Sequence, residues 1–284
     1  MSQLAFWRSG STRVLPGFGL SMGISVLFIS LVLLLPITGL FGQLAGLSLS
    51  EYWAIITDGR VVASYTVTIG AAAVAALVNA VFGLLLAWVL VRYEFPGKRL
   101  LDALMDLPFA LPTAVAGITL ATLYAGNGWM GRLLEPLGFQ VAYTWVGIAL
   151  AMAFTSIPFV VRTVQPVLED LPAEIDEAAM SLGATDSEAF RRVIMPHLWP
   201  ALVTGTGLAF VRSLGEFGAI IFIAGNMPYE TEITALMIFV RLQEYDYAGA
   251  SAIASVVLFV SLALLLVINI WQGRFVRRLH GGKG

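Results

Sequence analysis

The chain has 284 residues, of which 58% are hydrophobic and 12% charged, with no cysteine and a formal net charge of −2. Together with a mean hydropathy of +0.86, this composition belongs to a membrane protein and not to a soluble domain. The lack of cysteine excludes disulfides, thiolate metal sites and cysteine nucleophiles, and the near-neutral charge with scattered basic residues argues against a nucleic-acid partner.

A membrane-crossing helix needs roughly 20 mostly apolar residues, and six stretches qualify: 20–40, 61–91, 107–125, 144–165, 201–224 and 250–271. The amino terminus, with Arg8 and Arg13, leads into an apolar run too long for a signal-peptide core, so it is expected to remain as the first span. Residues 43–60 hold enough apolar side chains for a short helix on the outer surface. The second span carries small residues in IGAAAVAALVNAVFG, which permit close approach of helix backbones. In the third, DLPFALPTAVAG places Pro108 and Pro112 where they should kink or break the helix near its start. Six spans put both termini on one side. With the amino terminus in the cytoplasm, only Arg60, Arg132 and Arg241 fall outside, and the other loop and terminal basic residues fall inside, as the positive-inside rule requires.

Between spans four and five lies a polar module, EAAMSLGATDSEAFRRVIMP, over residues 177–196. Leu171-Pro172-Ala173 puts proline where a first helical turn tolerates it, and Ile175, Ala178, Ala179 and Leu182 recur at helical spacing. Gly183 supplies a stop in the left-handed region. Thr185 and Glu188 then form a T-x-x-E capping box, opening a second helix whose Phe190, Val193 and Ile194 make an apolar side. Pro196 and Pro200 are expected to close that helix before span five. The module reads as helix, tight turn, helix; taken alone, it is equally a solvated connector.

Span five, ALVTGTGLAFVRSLGEFGAIIFIAG, carries Arg212 and Glu216 near mid-membrane. Each central charge costs about 2.5–3.5 kcal/mol on insertion scales, so a lipid-facing position is disfavoured. Four residues apart, the two share a helix face and can pair. They form either a structural ion pair or part of a conduction path, in which Arg212 offers positive potential to an anion, Glu216 holds it, and Ser213 supplies a hydroxyl. Beyond this span, residues 227–248 suit a further surface helix, where Arg241, Glu244 and Asp246 form either a solvated rim or a docking edge. His197 and His280 are too isolated for a metal site, and no catalytic constellation is present.

The pattern EAA-x3-G-x9-[VI]-x-[LM]-P, met here by Glu177, Ala178, Ala179, Gly183, Val193, Met195 and Pro196, is similar to the EAA loop of ATP-binding-cassette importer permeases. Val193 and Met195 depart from the preferred isoleucine and leucine but remain apolar. The resemblance implies an all-α integral membrane protein with six transmembrane helices in the type I ABC importer permease fold. It divides the chain into an N-terminal segment (1–60), a permease core (61–271) with its coupling loop at about 166–200, and a basic cytoplasmic tail (272–284). It further implies that Glu177, Ala178, Ala179, Leu182, Gly183 and Pro196 carry the contact with a cytoplasmic ATPase. A phosphate loop of the form G-x-x-x-x-G-K-[ST] does not occur in the sequence, so ATP and Mg are expected on that partner, with no cofactor in this chain.

The runs FVRSLGEFGAIIFIAGN and TEITALMIFVRLQEYDYAGASAIAS, with PFALPTAVAGITL upstream, resemble sulfate/thiosulfate permease subunits of the CysT type. That resemblance implies an inner-membrane importer built with a second, homologous permease, two ATPase subunits and a periplasmic or lipid-anchored sulfate-binding protein. The shorter R-x-LGEFGA core is shared with molybdate and tungstate permeases, which stand as an alternative. An ion-coupled secondary transporter is the alternative of a different class, and the EAA module would have no purpose in it.

Overall fold

The computed structural model describes residues 18–280, with backbone alone at residues 173, 176 and 274–280. Arg8, Arg13 and Lys283, and the side chains of Arg274, Arg277, Arg278 and His280, lie outside the described residues. Every regular element among the described residues is helical. These residues form two compact units, one ending at Ser48 and one beginning at Leu49.

The first unit holds one helix, α1 (Phe18–Leu44), with no charged residue along its length. A π turn over Ser30–Leu34 interrupts it just ahead of Pro36. The second unit begins with α2 (Leu49–Ile56), followed by α3 (Gly59–Arg92), a 34-residue helix opened by Asp58, whose carboxylate accepts from the Arg60 and Val61 amides. After it come α4 (Lys98–Met105), the single turn α5 (Leu107–Ala110) and α6 (Thr113–Tyr124). The expected third crossing is therefore broken. Pro112 sits extended at the head of α6 because it has no amide hydrogen to give and disfavours a helical residue before it. At 12 residues α6 is about 18 Å long, short of the ~30 Å hydrocarbon core.

The helix α7 (Trp145–Glu169) leads to α8 (Ala173–Ser181), and α9 runs unbroken from Asp186 to Leu214. This corrects the expectation that Pro196 and Pro200 end the second module helix. Phe190–Ile194 widen into a π turn, and Met195 donates its amide to Phe190 O, five residues back. The wider turn makes room for the Pro196 ring, so the helix passes through. Instead α9 ends at Leu214, ten residues before the expected end of span five. The chain then crosses an irregular stretch to α10 (Ile220–Ile223). Two more helices, α11 (Thr234–Gln243) and α12 (Tyr247–His280), complete the unit. Among the described residues five helices, α1, α3, α7, α9 and α12, are long and apolar enough to cross a membrane.

The packing at the centre of this unit follows from residue size. On α3, Val67, Ala71, Ala75, Asn79, Gly83 and Ala87 recur every four residues and are all buried, forming one ridge. Within lipid, helices gain little from hydrophobic transfer and associate through close contact, which small residues allow. At Gly83 the fit against α7 is tight: an added Cβ would stand 2.8 Å from Val160 Cγ1.

Candidate functional site

The polar module folds as a two-helix elbow. Gly183 has φ of +86°; its amide bonds to Met180 O at 2.9 Å and the Ala184 amide to Ala179 O at 3.1 Å. This pair of bonds is the Schellman closure, which needs the left-handed residue that glycine provides cheaply. On the other side of the turn, the Thr185 hydroxyl accepts the Glu188 amide and the Glu188 carboxylate accepts the Thr185 amide, completing the capping box. Of the expected coupling residues, Glu177, Ala178 and Pro196 are exposed and Ala179 is buried. Leu182 is 90% exposed at the tip, with Met180 beside it at 50%. The turn thus holds two apolar side chains outward.

From this elbow α9 carries straight to the charged pair. Its 29 residues span about 43 Å. Near the elbow it is fastened to α3 by Phe190, whose ring meets Trp88 edge-on at 5.2 Å, with Arg92 stacked over the indole at 5.5 Å. At its far end Arg212 Nη1 lies 2.7 Å from Glu216 Oε2. The pair forms as expected, but Glu216 is not on the helix: it lies in the irregular stretch after Leu214, and Arg212 is two residues from the end of α9 rather than midway along a span. There the guanidinium also faces the negative end of the helix dipole.

The break has a local cause. Glu216 Oε1 accepts the Ala219 amide at 3.1 Å, opening α10 as a capping carboxylate would. The backbone of Gly218 and Ala219 is pressed against the start of α6. A Cβ on Gly218 would come within 2.2 Å of Thr113 Oγ1, and one on Gly117 within 2.1 Å of Ala219 O. Glu216 is 2% exposed, whereas the Arg212 side chain is 36% exposed. A buried carboxylate thus anchors a cation that remains partly open. Ser213, the third residue expected here, is fully buried, and its hydroxyl lies 2.8 Å from Ala209 O and 3.3 Å from Ser156 Oγ.

Sequence reasoning missed three polar constellations. Arg162, read only as an inside charge, is chelated by Asp102 Oδ1 at 2.6 Å and by both carboxylate oxygens of Asp106 at 2.8 and 2.6 Å, and it also bonds to Gln165. The hydrogen bond from Arg162 holds the Asp106 carboxyl below the usual range. This cluster pins α4 and the turn after it to α7, and the signal was present in two acids four residues apart at the edge of an amphipathic helix. Arg60 grips Glu232 through two bonds of 2.7 Å, a bidentate fork whose 172-residue separation hid it. Asn79, alone among the alanines of α3, is the third. Elsewhere, Arg241 pairs with Asp246 at 3.2 Å, and His197 Nδ1 lies 2.7 Å from Val193 O. No group of metal-ligating side chains occurs among the described residues.

Comparison with known proteins places this geometry. The chain is 62% identical to the sulfate transport system permease protein CysT of Salmonella typhimurium and 63% identical to that of Escherichia coli K12. Each match covers 95% of this chain and 98% of the relative. Among solved structures, a bacterial alginate ABC transporter in complex with an alginate pentasaccharide-bound periplasmic protein shares the fold, with a TM-score of 0.73 at 17% identity over 90% of this chain and 93% of that one. The profile of the family described as binding-protein-dependent transport system inner membrane component matches residues 79–281, a stretch that holds the elbow, α9 and the charged pair, and the chain belongs to that family.

Proposed function

We propose that the chain is the permease subunit of an ATP-driven importer of sulfate or thiosulfate, forming half of the translocation path. It is a multi-pass membrane component and not an enzyme. The observation that carries the cargo is the identity of more than 60%, over nearly the whole chain, to two permeases named for sulfate transport. In this reading the other half of the path is a second, homologous permease, a periplasmic or lipid-anchored binding protein delivers the anion, and two cytoplasmic ATPase subunits bind ATP and Mg. Both termini and the elbow face the cytoplasm. Leu182 and the exposed Glu177 and Ala178 meet an ATPase, with Ala179 packed beneath them, Gly183 keeps the bend, and α9 carries the displacement to its far end. There the part-open guanidinium of Arg212 offers an anion a site that Glu216 partly neutralises, so the cargo is attracted without being trapped.

Uptake of labelled sulfate by the intact assembly tests this. Removing Arg212 alone would strand a buried carboxylate, at a cost of about 3–5 kcal/mol, so the informative variant is Arg212→Ala combined with Glu216→Gln. Uptake is expected to fall at least tenfold while the subunits still copurify. Unchanged uptake would leave the pair a structural one. Uptake of molybdate in preference to sulfate would overturn the cargo.

A further inference from the structure

Asn79 is 1% exposed, in the middle of the small-residue ridge of α3. Close packing there needs no polar group, since Ala75 and Gly83 fill the equivalent positions one turn to either side. A buried amide is tolerated only when its hydrogens are bonded, and both hydrogens of Nδ2 go to α7: to Ala153 O at 3.0 Å and to Ser156 Oγ at 2.9 Å. Ser156 gives its own hydrogen to Met152 O at 2.6 Å, which leaves its oxygen to accept from Asn79 and, as the longer arm of a three-centre bond at 3.3 Å, from Ser213 Oγ on α9, whose single hydrogen is shared with Ala209 O at 2.8 Å. The carbonyl of Ser213 accepts the Glu216 amide at 3.1 Å. A continuous run of hydrogen bonds therefore links three crossing helices and ends on the residue that holds Arg212.

We propose that Asn79 is a positioning residue for the Arg212–Glu216 pair, acting through Ser156 and Ser213. Ser156 is the junction: Asn79 sets where its oxygen lies, and the last turn of α9 is held to that oxygen. The break after Leu214 is thereby kept in one place relative to α3 and α7. The inference rests on the anion-transport reading only for its transport measurement.

Two variants of the full assembly test it. Asn79→Leu keeps the branched outline of the side chain with somewhat more bulk and removes both donors, and Ser213→Ala removes the hydroxyl that reaches Ser156 and Ala209 O without crowding the bundle, so it remains informative if the first fails to assemble. The KM for sulfate is expected to rise about three- to tenfold, the range that one or two lost hydrogen bonds give, with kcat per assembled complex changed less than about twofold. A role confined to helix packing would lower the amount of complex and leave KM unmoved.

A second readout is independent of cargo. The chain has no cysteine, and Gly215, next to Glu216, has φ of −96° and no atom within 4 Å of an added Cβ. Gly215→Cys is therefore a clean reporter for a charged thiol reagent. Its labelling rate is expected to change at least threefold when Asn79→Leu or Ser213→Ala is added. An unchanged rate overturns the inference whatever the cargo. If the Arg212→Ala and Glu216→Gln combination leaves sulfate uptake intact, the transport reading falls, and the labelling rate still decides this one.

Discussion

At Gly183 the chain needs a positive φ, and a residue with a Cβ there would add strain of about 1 kcal/mol. That is too little to unfold a protein anchored by membrane helices, but the same residue borders the exposed tip at Leu182. Gly183→Asp therefore adds both strain and a charge at the proposed ATPase contact. ATP-coupled sulfate uptake should be abolished while the amount of protein in the membrane is unchanged, which quantitative immunoblotting of membranes alongside uptake would check. The role of Gly183 was legible in the sequence because turn chemistry is local: the stop, the capping box and the helical spacing all lie within about twenty residues. The place of Glu216 was not. Spacing from Arg212 implies a shared helix face, yet the helix ends first: Glu216 caps the Ala219 amide, and the Gly218–Ala219 backbone beyond the break lies against Thr113 and Gly117, far upstream in the chain.

Among the elements, Pro36 of α1 and Pro196 of α9 show one rule applied twice, whereas Pro200 sits inside the regular helix. Each follows a π turn, at Ser30–Leu34 before Pro36 and at Phe190–Ile194 before Pro196. A proline lacks the donor for the regular ladder and its ring crowds the preceding turn; one extra residue in that turn relieves both. Read from sequence, Pro196 looks like a terminator because the rule for proline assumes an α ladder ahead of it. In the third crossing, by contrast, Pro112 does break the helix, and α6 is held by glycine contact instead of length. Gly117→Ala gains up to about 1 kcal/mol of helix propensity but overpacks against a backbone carbonyl that cannot rotate away, costing about 1–3 kcal/mol. Net destabilisation should appear as a lower thermal midpoint of the purified assembly in detergent. Gly70→Ala, whose nearest neighbour is Trp145 at an ordinary 3.5 Å, keeps the propensity gain without the clash and should raise the midpoint.

For the molecule as a whole, the consequence of the unbroken α9 is that one continuous helix runs from the elbow to Arg212, with Glu216 just beyond its end. Side-chain contacts fasten it near each end: Phe190 against Trp88, and Ser213 against Ser156. Displacement of the elbow would reach Arg212 through α9, whose π turn at Phe190–Ile194 and whose Pro196 and Pro200 are the places where a helix bends. The coupling reading makes a direct demand. In the cysteine-free chain, Leu182→Cys with a short bifunctional reagent should capture the ATPase subunit in the assembled transporter, and the yield should change between ATP-bound and nucleotide-free states. Failure to capture it at any nucleotide state would remove the basis for the proposed transmission.

By itself the sequence determined what depends on composition and near neighbours. It set the all-helical membrane class, four of the crossings, the elbow with its glycine and its cap, and the presence of two charges that lipid would not tolerate. The tertiary structure alone decided where helices end and which polar groups meet. The Asp102–Arg162–Asp106 cluster and the links from Asn79 to Ser213 depend on partners between 56 and 77 residues away, the break after Leu214 on a capping carboxylate and on contacts with α6 still further off, and the passage through Pro196 on a helix register that propensity does not encode. The reason is physical. Inside a bilayer a polar or irregular segment survives only where other helices satisfy it, and that satisfaction is supplied by residues remote in the chain.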